Sequence, residues 1–148
     1  MWRHEKSWVR LQIMGWCVLA LLIGSGNLLP ATTWFEVRRV AVQDTIVGAS
    51  PRMYVDRIIR RPFRSRWFVE IGRKAGDRYV LWCHNNGVSN YEIYNDLPEP
   101  LTLLWWLEAE CKLPPGVYRV DTFWRWEVFG GFERSIRQIS NDFKVSAP

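Results

Sequence analysis

Cys83, His84 and Cys111 carry the side chains of this chain best suited to nucleophilic or metal chemistry. A thiolate beside an imidazole is a nucleophile, and two thiolates with one imidazole make three ligands of a tetrahedral zinc site. Neither chemistry fits the spacing. Neighbours on a strand point to opposite faces, so Cys83 and His84 do not converge on one substrate or one ion. A fourth ligand is also missing, because the other histidine, His4, lies at the N-terminus. The remaining use of the two cysteines is a Cys83–Cys111 disulfide, formed if the domain is exported to an oxidising compartment. It would close a loop of just under thirty residues, and in the chain-entropy account would stabilise the fold by about 3–4 kcal/mol. Cys17 falls in an apolar stretch, where a thiol is a small hydrophobe.

Carboxylates offer a second chemistry. Glu108 and Glu110 could share one face of a strand, the arrangement that a carboxylate-dependent cell-wall hydrolase would need. Such surface pairs far more often stand solvated. There is no phosphate-cradling glycine loop, no Gly-x-Ser-x-Gly elbow and no His-Glu-x-x-His. The expectation is therefore no enzyme, no metal and no cofactor.

Two features suit contact rather than catalysis. Arg57, Arg60, Arg61, Arg64 and Arg66 place five arginines in ten residues. An anionic partner would suit them, such as phospholipid headgroups or a cell-wall polyanion. The simpler reading, which we favour, is a solvated loop paired with the acidic tract Glu92, Asp96, Glu99, Glu108 and Glu110. Nucleic acid is not expected as a partner of an exported domain. Trp82, Trp106, Phe123 and Phe129 fall opposite the expected core face, as an aromatic contact surface or as rings covered by loops or the bilayer; the two readings stand equal.

The elements that position these residues begin with a membrane segment. From Leu11 to Leu29 no residue is charged, and Arg3, Lys6 and Arg10 precede the run against one Glu5. Nineteen residues at about 1.5 Å each span roughly 28 Å, close to the hydrocarbon thickness of a bilayer. Trp8 and Trp34 bracket the run as interface anchors. A cleaved signal peptide shares the basic start, but Gly24-Ser25-Gly26 is only a fair cleavage site. A soluble helix would need a polar face, which the run lacks. We read residues 1–10 as a cytoplasmic basic stub, 11–31 as an uncleaved transmembrane anchor, and 32–148 as one extracytoplasmic domain. The stub's charge puts the N-terminus inside, and the domain outside the cytoplasmic membrane, in the periplasm.

That domain reads as strands. Hydrophobic residues are 48% and charged residues 24%, enough for a core and too apolar for disorder. Tyr118, Val120, Thr122, Trp124, Trp126 and Val128 alternate with Arg119, Asp121, Phe123, Arg125, Glu127 and Phe129, the period of a half-buried antiparallel strand. Gly130-Gly131 turns it back into Phe132 to Ile139, and Asp142 to Val145 follows. Trp67 to Ile71 and Arg78 to Cys83 flank a Lys74-Ala75-Gly76-Asp77 turn, with Asn85-Asn86-Gly87 closing the second strand. Leu101 to Leu107, Val37 to Ile46 and Met53 to Ile59 are further strand candidates. Seven or eight short strands over about 115 residues point to an all-β antiparallel sandwich.

Leu113-Pro114-Pro115-Gly116-Val117-Tyr118-Arg119-Val120 resembles the tyrosine-corner approach of immunoglobulin-like sandwiches, which implies a hydrogen bond from Tyr118 back to the preceding turn. Val120 stands where the second core cysteine of true immunoglobulin domains would be. Over residues 36–145 the chain is similar to small membrane-anchored proteins of bacteria and their phages. The matching features are Ile59-Arg60-Arg61-Pro62-Phe63, Leu104-Trp105-Trp106, Cys111 before the Pro-Pro-Gly turn, and Ser140-Asn141-Asp142-Phe143. That resemblance brings no activity with it. The expected role is a single-pass anchored binding or structural module with a protein or envelope-polymer partner. A phage or prophage envelope protein acting in lysis or superinfection exclusion is the alternative.

Overall fold

The computed structural model describes residues 3–107 and 110–148. Helix α1 runs from Arg3–Leu28, about 39 Å at the usual rise, so part of the basic stub is wound into the same helix as the apolar run. It stops before Pro30, whose ring excludes a helical residue ahead of it. A single 3-10 turn, Ala31–Thr33, then leads into the domain. One stretch, Ser7–Gly24, is long and apolar enough to cross a membrane, and none of it is buried by the rest of the protein. Leu11, Met14, Trp16 and Leu21 are each at least 66% exposed, spread over more than two turns. Water would oppose such a helix, whereas a bilayer would solvate it on every side.

Past residue 34 the regular structure is almost entirely strand. The strands are β1 (Phe35–Val42), β2 (Thr45–Ile46), β3 (Met53–Ile59), β4 (Phe63–Ala75), β5 (Arg78–Tyr91), β6 (Gly116–Val128), β7 (Phe132–Ile139) and β8 (Phe143–Ser146). β1 and β3 pair antiparallel as a two-stranded sheet. The other six form the large sheet, in which β6 is central. One edge of β6 takes β4, with β5 outside it. The other edge is shared: β8 pairs at Gly116–Tyr118 and β7 from Asp121 onward, with β2 parallel to β8. The period-two pattern of β6 is realised in full, since Tyr118, Val120, Thr122, Trp124, Trp126 and Val128 are all buried.

Both sheets bury one core. Phe35 of β1 has no exposed surface, and its ring lies 5.3–5.4 Å from those of Phe63, Tyr91 and Trp124 in the large sheet. Rings at such separations and tilts add to the area term, so this cluster clamps the two sheets at the end nearest α1.

Two expectations about elements are corrected. Leu101 to Leu107 is not a strand but contains the 3-10 turn Leu103–Trp105. Its buried residues are Leu103, Trp106 and Leu107, a helical spacing, and Asn85 Nδ2 donates to the Trp106 carbonyl at 2.8 Å to hold the turn. Asn85-Asn86-Gly87 does not close a strand: β5 continues through it to Tyr91 because β4 offers a partner for every residue from Cys83 to Tyr91. Gly87 is required there by the ring opposite. A Cβ on it would fall 2.6 Å from Cζ2 of Trp67.

Candidate functional site

Of the features singled out for contact, Phe129 and Arg60, Arg61, Arg64 and Arg66 lie toward the end of the domain that meets α1. There β1 begins, β3 ends, β4 begins, and the β6–β7 hairpin makes its turn. The hairpin leans on the helix: Arg134 Nε donates to the Leu29 carbonyl at 3.1 Å, and Ile23 Cγ2 lies 3.9 Å from the position a Cβ would take on Gly130. Gly130 and Gly131 have φ of 86° and 78°, conformations that side chains resist, so glycine allows the tight return. That leaves Phe129 as the side chain displayed at the tip, 78% exposed.

The five arginines are divided rather than pooled. Arg57 is half-buried on β3, with its guanidinium 5.6 Å from the Tyr91 ring centre and 6.0 Å from that of Trp105. It donates to the Asn95 carbonyl at 3.2 Å, and burial pulls its pKa down. Arg60 donates to the Thr32 carbonyl at 3.1 Å and pairs with Glu36, which also receives Arg38 Nε at 3.1 Å. Hydrogen bonds from Arg60 and Arg38 hold the Glu36 carboxyl below its ordinary value. Arg61 lies over the Trp34 ring at 5.7 Å. Arg64 and Arg66 stand exposed on the outward face of β4, with no acidic partner among the described residues. Among the described residues the expected pairing with the Glu92–Glu110 tract is corrected: the carboxylate that meets an arginine of this run is Glu36, on β1.

The aromatic set divides as well. Trp106 is buried, at 5% exposure, with its ring edge-on to Trp124 at 6.2 Å, so its placement on a contact surface is corrected. The helical turn, not strand alternation, sets its direction. Trp82 is 43% exposed, yet its Nε1 donates to the Lys112 carbonyl at 2.8 Å and Arg73 covers its ring at 5.1 Å. It sits at the register shift between β4 and β5 and ties that irregularity to the loop before β6. Phe123 is half-buried on the outward face of the large sheet. Its cross-strand neighbour Phe68, 6.2 Å away and 38% exposed, was not marked from the sequence. Phe68 alternates with the buried Val69 and Ile71, so the pleat of β4 turns it outward with Glu70.

Of the membrane brackets, Trp8 is exposed on α1, while Trp34 is half-buried against the domain core. Cys83 and Cys111 are bonded, with Cα atoms 6.1 Å apart. The bond joins the middle of β5, rather than its end, to the loop before β6. His84 faces away from Cys83 and opposite Glu70 across the strands. Glu110 is exposed, and Glu108 lies outside the described residues. Among the described residues no group of three metal-ligating side chains converges.

No family model, curated protein or solved structure matches this chain. What the helix end of the domain can do follows from its own side chains. It displays a lone phenyl beside an apolar helix, with guanidinium groups near by.

Proposed function

We propose that the protein is a single-pass, membrane-anchored extracytoplasmic binding or structural module, with its N-terminus in the cytoplasm and no catalytic step of its own. The observation that carries this reading is α1: its apolar side chains are exposed all round and continue directly into the folded domain. Lipid offers that surface a favourable solvent. The Cys83–Cys111 bond supports an oxidising compartment for the domain.

The immunoglobulin-like reading of the domain is supported by Tyr118, whose Oη donates to the Pro114 carbonyl at 2.6 Å as a tyrosine corner requires. It is supported too by the core the two sheets share. The face offered to a protein or an anionic envelope polymer is the outward side of the large sheet. There Phe68 and Phe123 adjoin, and Arg66 and Arg125 form the neighbouring rung.

The test is a reporter enzyme that works only outside the cytoplasm, fused after Pro148. Activity, together with retention of the N-terminal residues in membrane fractions, is the expected result. A silent reporter would overturn the orientation, and a mature chain beginning near Asn27 would overturn the anchor.

A further inference from the structure

We infer that the helix end of the domain is a second membrane contact: Phe129 enters the outer leaflet, and Arg64 and Arg66 hold anionic phospholipid headgroups beside it. This rests on the anchor reading above and goes beyond it, because a tethered domain could equally stand clear of the bilayer. Two observations carry it.

The first is depth. Gly130 is level with Ile23, inside the apolar stretch Ser7–Gly24, whereas α1 continues to Leu28. Five residues of helix are about 7.5 Å, so the hairpin tip overhangs the end of the helix by that distance, toward the membrane. If Ile23 is in the hydrocarbon, the exposed ring of Phe129 is at the same boundary. The carboxylates Glu127 and Glu133 sit on the flanking strands opposite one another, and their charge stops deeper entry.

The second is an opening in the sheet. β4 and β6 pair from Arg73–Tyr118 as far as Arg66–Arg125. Toward the membrane both strands continue, to Phe63 and Val128, with no backbone rungs between them; Ser65 Oγ donates instead to the Arg125 carbonyl at 2.9 Å. A space of about 590 Å³ lies there, lined by Arg64, Arg66, Arg125 and Phe129 and also by the carboxylates Glu127 and Glu133. Arg125 is 3.7 Å from Glu133, while Arg64 and Arg66 have no acidic partner among the described residues.

A headgroup phosphate carries a charge that guanidinium groups bind well. Arginines at a leaflet surface are drawn to anionic lipid by the same field.

The experiment uses the full chain in vesicles of phosphatidylcholine with phosphatidylglycerol, spin-labelled at one cysteine at a time. Cys17, free in the native chain, reports insertion of the helix. Phe129→Cys and Asp77→Cys, each made with Cys17→Ala, report the hairpin tip and the β4–β5 turn. Accessibility to a water-soluble nickel complex is compared with accessibility to oxygen.

The expected result is a label at 129 several-fold less accessible to nickel than one at 77. That protection should fall several-fold in phosphatidylcholine alone, and also with Arg64→Gln and Arg66→Gln. A label at 129 as nickel-accessible as that at 77, with Cys17 still protected, would overturn the contact and leave the anchor standing. An accessible Cys17 would remove the anchor and the contact with it. Protection at 129 that ignores both lipid charge and the arginines would overturn the headgroup binding. The lipid comparison needs no arginine variant, so it reads even if one of them folds poorly.

Discussion

Gly87→Ala should destabilise the domain, and only while Trp67 is present. The two positions face each other across β4 and β5 on the core side. A methyl on Gly87 would lie 2.6 Å from Trp67 Cζ2 and 2.8 Å from Cε2. Carbon atoms in contact prefer about 3.5–4.0 Å, so the indole must retreat by about 1 Å. It is held in place, because its Nε1 donates to Ser89 Oγ at 3.0 Å and it packs against the core. Gly87 has no positive φ, so its backbone accepts alanine and the whole cost lies in the ring's displacement. Overpacking of this kind costs about 1–3 kcal/mol, and a weakened hydrogen bond adds up to about 1 kcal/mol. We expect a loss of about 2–3 kcal/mol, seen as a midpoint lowered by roughly 10 °C. The assay is thermal unfolding of the full chain in detergent, followed by the strand circular-dichroism signal. In a Trp67→Ala background the same change should be neutral or stabilising by about 0.5–1 kcal/mol, since alanine loses less backbone freedom than glycine. An equal cost in both backgrounds would refute the ring-over-glycine argument.

Replacing Cys83 and Cys111 by serine should lower stability by about 3.6 kcal/mol, from the chain-entropy relation at a separation of 28 residues. Peptide mapping without reduction should show the linked pair, and two freely alkylated thiols in protein taken from its membrane would contradict it. Glu36 gives a pH signature. Its folded pKa lies below its ordinary value, so its contribution is present above that value and fades as pH falls through the lowered one. The stability gap between wild type and Glu36→Gln should therefore close on acidification below about pH 4 and narrow with added salt. A gap unchanged down to pH 2 would place the effect outside the Arg60–Glu36–Arg38 cluster.

Much of this protein is legible in its sequence alone. The uncharged run from Leu11 to Leu29 specifies an apolar helix because composition alone decides solvation in lipid. Alternation along Gly116–Val128 places six buried side chains on one face because a strand's period is two, and no neighbour is needed to read it. Gly130-Gly131 marks the hairpin for a similarly local reason, the need for positive φ. The Cys83–Cys111 pairing follows from counting, once Cys17 is assigned to the helix.

Other features depend on distant partners. Trp106 carries no local sign of its direction. It turns inward because Asn85, 21 residues earlier, holds the Trp106 carbonyl and fixes a helical turn in a segment rich in strand formers. β5 passes through Asn85-Asn86-Gly87 because the backbone of β4 satisfies it, and the pairing of the ladder outweighs turn propensity. Glu36 rather than the acidic tract meets Arg60 because β1 and β3 pair in register, which brings the two ends together across 24 residues. The opening between β4 and β6, and the seating of the hairpin tip against Ile23, arise where three strands and a helix end share one corner. Local pattern decides which way a side chain faces on its own element. Only the packing of elements decides what lies opposite it, because that contact is a property of two segments and neither encodes the other's position.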